Sequence, residues 1–463
     1  MDFDWIILGA GPGGYEAAIR AAQLKQKVAL VEKDEAGGTC LNRGCVPTKA
    51  LLHAAMGYEE IQHLSTWGIT AENASFDIDK MYAQKDDLVS TLREGISRLI
   101  QQNGITFLKG TGVIQDSHTV LVNDKALTGE KILIATGSSP VLPPIPGLML
   151  PGVVSSDGLL SSPPSGKRLV IIGGGVIGVE FASLFQALGY EITIIEALDR
   201  LLPQMDREIS QNLVMILKKR GATVLTGARV SEIRKEEDGS LTTLYEIGGK
   251  QGQAAGDTVL IAIGRRASTQ GLFAQDFTLQ TDRGRIITDA DHQTSVPGVY
   301  AIGDAAGAIQ LAHLASAQGI ACVEQAAGHT PAVREDLVPS CVYTRPEIAC
   351  VGMTADEAKA AGVQVRTGKY ILSANCRTMI AAGDRGFVKL VLDANTDQLL
   401  GAQIMCERAT DMINEATVAI ANGLTREQLL KAIRPHPTYA ESFTEALDSA
   451  YGMAIHMAPV RKV

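Results

Sequence analysis

Residues 6–14, IILGAGPGG, run from a short apolar stretch into the spacing Gly9-x-Gly11-x-x-Gly14. A helix-forming segment follows (YEAAIRAAQ, 15–23), and a second apolar run, VALVE, ends at Glu32. Strand, glycine turn, helix and strand in this order predict a βαβ unit that binds a dinucleotide. The first glycine permits the tight turn, the second leaves room for a pyrophosphate, and the third lets helix and strand pack closely. The helix start presents free N–H groups to phosphate. The acid closing the second strand suits ribose hydroxyls.

The unit recurs. LVIIGGGVIGVEFASLFQALGYEITIIE (169–196) repeats the glycines as Gly173, Gly175 and Gly178, Ala18 as Ala182 and Glu32 as Glu196, each 164 residues after its counterpart. Five coincidences at one offset, between matched apolar runs, predict two dinucleotide sites in one chain. Two such sites suit a relay in which one nucleotide stays bound while the other exchanges.

The 463 residues correspond to roughly three domains at about 150 residues each. The composition is that of a globular protein, 46% hydrophobic and 20% charged. A net charge of −9 argues against a nucleic-acid partner, which calls for a basic face. No apolar run reaches the roughly 18 residues that a membrane-spanning helix needs. Acids stand at the N-terminus where a signal peptide carries Lys or Arg, so a cytoplasmic location is expected. Seven cysteines spread over a long chain do not make a secreted disulfide framework.

Proline-rich SSPVLPPIPGL (138–148) reads as a linker before the second unit, which extends to about LIAIGRRAST (260–269). VPGVYAIGDAAG (296–307) is a further apolar strand, ending in Gly303-Asp304. Beyond residue 340, GFVKLVLD and LLGAQIM predict antiparallel strands, followed by a helix at DMINEATVAIANG. The expected class is α/β, with two Rossmann-like dinucleotide-binding domains and a C-terminal α+β domain.

GGTCLNRGCVPTK (37–49) sets Cys40 and Cys45 five positions apart. As a zinc site it lacks a second ligand pair, because Cys322, Cys341, Cys350, Cys376 and Cys406 are scattered singly, without a neighbouring histidine. No metal is expected. As a static cross-link the pair would close a short loop and constrain little chain. A redox pair explains more. VPTKALLHAAM predicts a helix with Pro47 in its first turn, so Cys45 precedes a helix N-terminus whose positive end favours thiolate. Lys49 lies one turn further along the same face. RPHPTYAE (434–441) offers His436 as a base, with Glu441 placed to orient it.

Taken in order, GAGPGGYEAAIRAA, GGTCLNRGCVPTKALL, ILIATGSSP, GGGVIGVEFA, AIGRR, YAIGDAAG with LAH, and HPTYAE resemble the pyridine nucleotide–disulfide oxidoreductases over essentially the whole chain. Within that family they are most similar to the branch that oxidises dihydrolipoamide. The resemblance implies an FAD-binding domain in two parts (1–145 and 271–338), an NAD-binding domain (146–270) and a dimerisation domain (339–463). It therefore implies a homodimer. Gly9, Gly11, Gly14 and Glu32 would hold FAD, with Thr136, Gly137 and Asp304, while Ala312 and His313 lie near its isoalloxazine. Gly173, Gly175, Gly178 and Glu196 would hold NAD. Gly112, Ser138, Val230, Gly264 and Leu311 complete the implied cofactor set.

The resemblance also assigns the chemistry. Cys40 meets substrate, Cys45 faces the flavin, and Lys49 reaches flavin N5 while pairing with Glu180 of the second unit. His436 and Glu441 reach across the dimer interface to the partner's disulfide. The implied physical partner is a lipoyl-bearing component of a 2-oxoacid dehydrogenase or glycine-cleavage complex.

Glu196 disfavours a 2′-phosphate, and Arg200, preceded by Asp199, is the one cation close after it, so NAD is expected rather than NADP. Glutathione-reductase-like relatives usually carry lysine at the position of Thr48, and mercuric reductases add a C-terminal cysteine pair, whereas no cysteine follows Cys406. Reduction of another disulfide substrate is the alternative reading. Three positions depart from the family pattern. Ala267 replaces a proline after GRR, Arg345 replaces a histidine before PE, and Arg43 stands between the cysteines where many relatives are apolar. Arg43 adds charge close to the disulfide, which would raise its reduction potential or alter lipoyl docking; a solvated arginine is the milder alternative.

Overall fold

The computed structural model describes residues 1–458. Strand β1 (Phe3–Leu8) leads through the glycine turn into α1 (Pro12–Gln23), and β2 (Val28–Glu32) returns parallel to β1, with Leu8 opposite Val31. All five residues of β2 are buried, as a strand inside a parallel sheet covered on both faces requires. The sheet continues beyond β1 through strand 125–134 to 119–122 and 112–114, and beyond β2 to 106–109. After β2 come α2 (Gly38–Arg43) and, separated from it by Gly44 alone, α3 (Cys45–His63).

The second unit repeats the design. β3 (Arg168–Ile172), α4 (Val176–Ala187) and β4 (Glu191–Glu196) form its βαβ core, with β3 and β4 parallel. Strands 258–261, 153–155 and 223–226 complete a five-stranded parallel sheet. A three-stranded antiparallel sheet (228–235, 241–247, 250–256), absent from the sequence reading, sits beside it and carries Val230.

The chain then returns to the first sheet, where Val299–Ala301 pairs parallel to strand 125–134. α5 (Ala312–Ala326) follows and packs on α1. Segment 138–148 is a linker only in part, because Ser138–Pro140 pairs antiparallel with Arg265–Ala267. That pairing satisfies backbone groups that a free linker leaves to water.

In the third unit, β5 (Ser340–Val342), β6 (Glu347–Gly352) and strands 399–406, 387–393 and 365–371 make a five-stranded antiparallel sheet, in that order. Helix 409–421 and α6 (Glu441–Ser449) pack against it. Val388, Leu390 and Leu392 point into this unit's own core. Phe387 and Met405 instead join Val342 and Ile348 in a core that contains Leu51 and Leu52 of α3 and Val179 and Phe181 of α4. Each fully buried Leu or Phe in such a core contributes roughly 1.5–3 kcal/mol. One continuous core thus sets α3 against both α4 and the third unit.

Candidate active site

The two glycine loops share the same close contacts. Gly9 and Gly173 hold φ of +99° and +114°, and a Cβ on either would lie 2.3 Å from a carbonyl oxygen, that of Ala135 or Ala262. A Cβ on Gly14 or Gly178 would stand 1.8 or 2.0 Å from the carbonyl oxygen of Gly9 or Gly173. The chain's own packing demands these four glycines. Gly11 and Gly175 are different. Both are extended, and an added Cβ meets nothing closer than 3.8 Å at Gly11 and nothing within 4 Å at Gly175. Clear space of this kind at a helix start fits a pyrophosphate. Near the first loop, Thr136 Oγ1 is buried without a hydrogen-bond partner beside the open Gly137, which fits a ligand there as well.

Glu32 and Glu196 have a second task that spacing does not reveal. Glu32 accepts the N–H groups of Ala10 (2.7 Å) and Asp34 (2.8 Å), and Glu196 those of Gly174 (2.5 Å) and Leu198 (2.7 Å). Each acid braces its own glycine loop, and each oxygen retains a lone pair for a ribose hydroxyl. Burial pushes the Glu32 carboxyl up, opposed by the Ala10 N–H and by Lys33 and Arg43. Arg200 is tied to the carbonyl of Pro203 at 2.7 Å, so its guanidinium is engaged within the loop after β4.

The remaining cofactor candidates frame these loops. Ser138 Oγ donates to Asp304 at 2.5 Å, and Arg265 donates to the hydroxyl (2.8 Å) and carbonyl (2.7 Å) of Ser138. The Gly303-Asp304 turn is thereby fastened to the 138–140 strand. Leu311 caps α5, with Ala312 and His313 in its first turn; the exposed His313 ring reaches the Pro339 carbonyl at 2.9 Å. Gly112 sits under Leu8, where an added Cβ would come within 2.7 Å of a methyl, and Gly264 is open. Val230 lies at a bulge in strand 228–235.

The cysteines sit on two helices. Cys40 belongs to α2, which the sequence reading lacks, and Cys45 is the first residue of α3 instead of preceding it. Gly44 permits the junction, since a Cβ there would lie 2.8 Å from the Thr39 carbonyl oxygen. Both sulfurs are free thiols, within hydrogen-bonding reach of each other. They are not equivalent. The bond to Cys45, reinforced by burial, raises the Cys40 thiol. Cys45 is lowered to about 7 by that hydrogen bond and by Lys49, against burial and Glu180. The positive end of α3 favours thiolate at the same sulfur.

Lys49 Nζ donates to Glu180 at 2.8 Å, joining α3 to α4. Glu180 is buried, and its other oxygen accepts the N–H of Tyr343 at 3.0 Å. The Tyr343 ring centroid lies 4.6 Å from Lys49 Nζ. Sequence reasoning misses Tyr343, which is 294 residues from Lys49 and carries no motif signal.

Arg43 finds a counter-charge of its own. Its guanidinium pairs with Asp34 in the loop after β2, and its charge acts on Glu32. A long arginine stem seeks the available carboxylate, and the cation acting on both sulfurs is Lys49. Arg345 meets Glu59 near the far end of α3 at 3.3 Å, and Glu59 also pairs with Arg220 at 3.1 Å. Ala267 pairs with Ser138 in the short antiparallel strand.

His436 and Glu441 do come together. Nδ1 of the histidine lies 2.7 Å from one Glu441 oxygen, and the other oxygen accepts the Thr438 N–H at 2.8 Å. Burial pushes the Glu441 carboxyl up, but the Thr438 N–H and the His436 ring outweigh it and leave it below its ordinary value. The His436 side chain is 68% exposed, and nearby Ile433 is 98% exposed.

Residues 3–319 match the family model described as pyridine nucleotide-disulphide oxidoreductase, and residues 338–447 match the dimerisation domain of the same family. The chain belongs to that family. Pyridine nucleotide-disulphide oxidoreductases use FAD and NAD(H), and the two glycine loops fit both. Dihydrolipoyl dehydrogenase 3 of Pseudomonas putida is 39% identical, covering 98% of this chain and 99% of its own. Dihydrolipoyl dehydrogenase of Bacillus subtilis is 38% identical with the same coverage. Among solved structures, the HOCl-induced flavoprotein disulfide reductase RclA from Escherichia coli aligns with a TM-score of 0.86 at 30% identity, over 96% of this chain and 99% of that one. RclA has also been solved as a Cu(II) complex. Among the described residues here, no group of three His, Cys, Asp or Glu side chains could hold a metal ion. No helix among them is long and apolar enough to cross a membrane.

Proposed function

We propose that this oxidoreductase converts protein-bound dihydrolipoamide to lipoamide with NAD+ as oxidant, acting as a cytoplasmic homodimer. Its partner would be a lipoyl-bearing component of a 2-oxoacid dehydrogenase or glycine-cleavage complex. The reading rests chiefly on Cys45 opening α3, one turn before Lys49, with Lys49 anchored on Glu180 of the second nucleotide unit. The dihydrolipoyl dehydrogenases named above support the choice of substrate.

Bound FAD supplies the two-electron carrier between the dithiol and NAD+. Gly11, Glu32, Thr136, Gly137 and Asp304 would hold it, and Gly175 and Glu196 would hold NAD+. The dithiol chemistry belongs to the chain. His436 of one subunit, oriented by Glu441, takes the proton from a dihydrolipoyl thiol. The thiolate attacks the Cys40 sulfur of the partner's Cys40–Cys45 disulfide. That bond breaks, and Cys45 leaves as a thiolate stabilised by Lys49 and the α3 N-terminus. The second substrate thiol attacks the substrate sulfur of the mixed disulfide and expels Cys40, and its proton passes to Cys40, whose raised thiol retains it. Lipoyl disulfide departs, and its two electrons remain on the cysteine pair. The match to a dimerisation domain supports a homodimer, in which the exposed His436 of the third unit would face the partner's cysteine pair.

The test is a steady-state comparison of dihydrolipoamide with NAD+ against glutathione disulfide with NADPH and Cu(II) with NADH. Dihydrolipoamide with NAD+ should dominate, and Cys45→Ser should abolish its oxidation. Strong turnover of glutathione disulfide or Cu(II), with none of dihydrolipoamide, would overturn the assignment.

A further inference from the structure

Lys49 stands on a flexible four-carbon stem and is 30% exposed, so α3 alone does not fix its ammonium. Glu180 anchors it, but the charge of Glu180 also raises the Cys45 thiol. An acid alone would therefore hold Lys49 while offsetting the benefit of its charge. The Tyr343 ring, 4.6 Å from Nζ, attracts the ammonium through its negative face without contributing a net charge. Burial pushes the Tyr343 phenol up to about 12, so the ring stays neutral at working pH.

The ring is itself firmly placed. Tyr343 follows β5 directly, and its N–H is bound to Glu180. Next to it, the fully buried Thr344 donates its hydroxyl to the Pro346 carbonyl at 2.7 Å, and Arg345 reaches Glu59 of α3. The first unit supplies Lys49, the second Glu180 and the third Tyr343.

We propose that Tyr343 is a positioning residue of the redox centre, its ring face holding the Lys49 ammonium where that charge stabilises the Cys45 thiolate. The proposal rests on the roles given above to Cys45 and Lys49. Its readout is the long-wavelength absorbance of a thiolate beside oxidised flavin, titrated against pH in dithiol-reduced holoenzyme. Tyr343→Leu should raise the midpoint by about half to one pH unit. Tyr343→Phe should leave it at the wild-type value. Replacing Tyr343 with trifluorophenylalanine keeps the ring's shape while weakening its negative face, so it should shift the midpoint even if Tyr343→Leu fails to fold. A wild-type midpoint in the fluorinated protein overturns the proposal. An upward shift in Tyr343→Phe as large as in Tyr343→Leu also overturns it, because the hydroxyl would then be responsible. Lys49→Met separates the levels. No shift there refutes the role of Lys49 itself, whereas a shift there without one in the fluorinated protein refutes only that of Tyr343.

Discussion

Replacing Gly175 by alanine should separate nucleotide binding from folding. The backbone at Gly175 has φ −76° and ψ −174°, which any residue adopts, and an added methyl meets no atom within 4 Å. The stability cost reduces to a capping preference at the start of α4, within about 1 kcal/mol. The same methyl would stand where a pyrophosphate approaches the free N–H groups of that helix. Losing one charge-assisted hydrogen bond there costs roughly 1.5–3 kcal/mol, or roughly 10- to 150-fold in affinity. The expected outcome is an NAD+ KM at least about tenfold higher, with a melting temperature within a few degrees of wild type. Flavin reduction by dihydrolipoamide alone, followed by stopped-flow, should keep its normal rate because the first loop and the cysteines are untouched. Gly178→Ala is the contrast, since its Cβ would lie 2.0 Å from the Gly173 carbonyl oxygen. In that variant, stability and NAD+ binding should fall together. Unchanged NAD+ affinity in Gly175→Ala would refute the assignment of this loop to the nucleotide.

His436→Gln should slow flavin reduction by dihydrolipoamide by about 10²- to 10⁴-fold, with reoxidation by NAD+ unaffected in rapid mixing. Glu180→Gln removes the charge that raises Cys45, so the thiolate midpoint should fall below its wild-type value. The same change weakens the partner of Lys49 and of the Tyr343 N–H, and should cost about 1–3 kcal/mol in thermal unfolding. Asp257 is held down to about 2 by Arg168 hydrogen bonding, helped by the N–H groups of Arg168 and Lys167 against burial. Its contribution to stability is complete above the unfolded value of about 3.9 and is lost as pH falls towards 2. Acid unfolding of Asp257→Asn should therefore converge on the wild-type curve across that interval, and a constant gap would contradict the linkage.

What is legible in the sequence is what local chemistry dictates. The glycines at 9, 14, 173 and 178 announce themselves because a carbonyl oxygen occupies the space a side chain would take. Cys45 and Lys49 lie one helical turn apart, so their partnership follows from helix geometry. His436 and Glu441 also meet within one short segment. The effect of Arg43 stays open in the sequence because its placement between two cysteines says nothing about where a long flexible side chain finds its counter-charge. The loop bracing by Glu32 and Glu196 is equally hidden, since both oxygens serve backbone groups that carry no sequence signature.

The sequence by itself determines two nucleotide loops, their shared offset, and a cysteine pair whose second member meets the start of a helix. Each depends on backbone conformation over a few neighbouring residues, where composition and spacing act directly. The tertiary structure alone decides what holds the Lys49 ammonium beside those sulfurs. Lys49, Glu180 and Tyr343 are set together by a core running through α3, α4 and the third unit. Charge acts through space and burial, and neither quantity has a period that can be read along the chain.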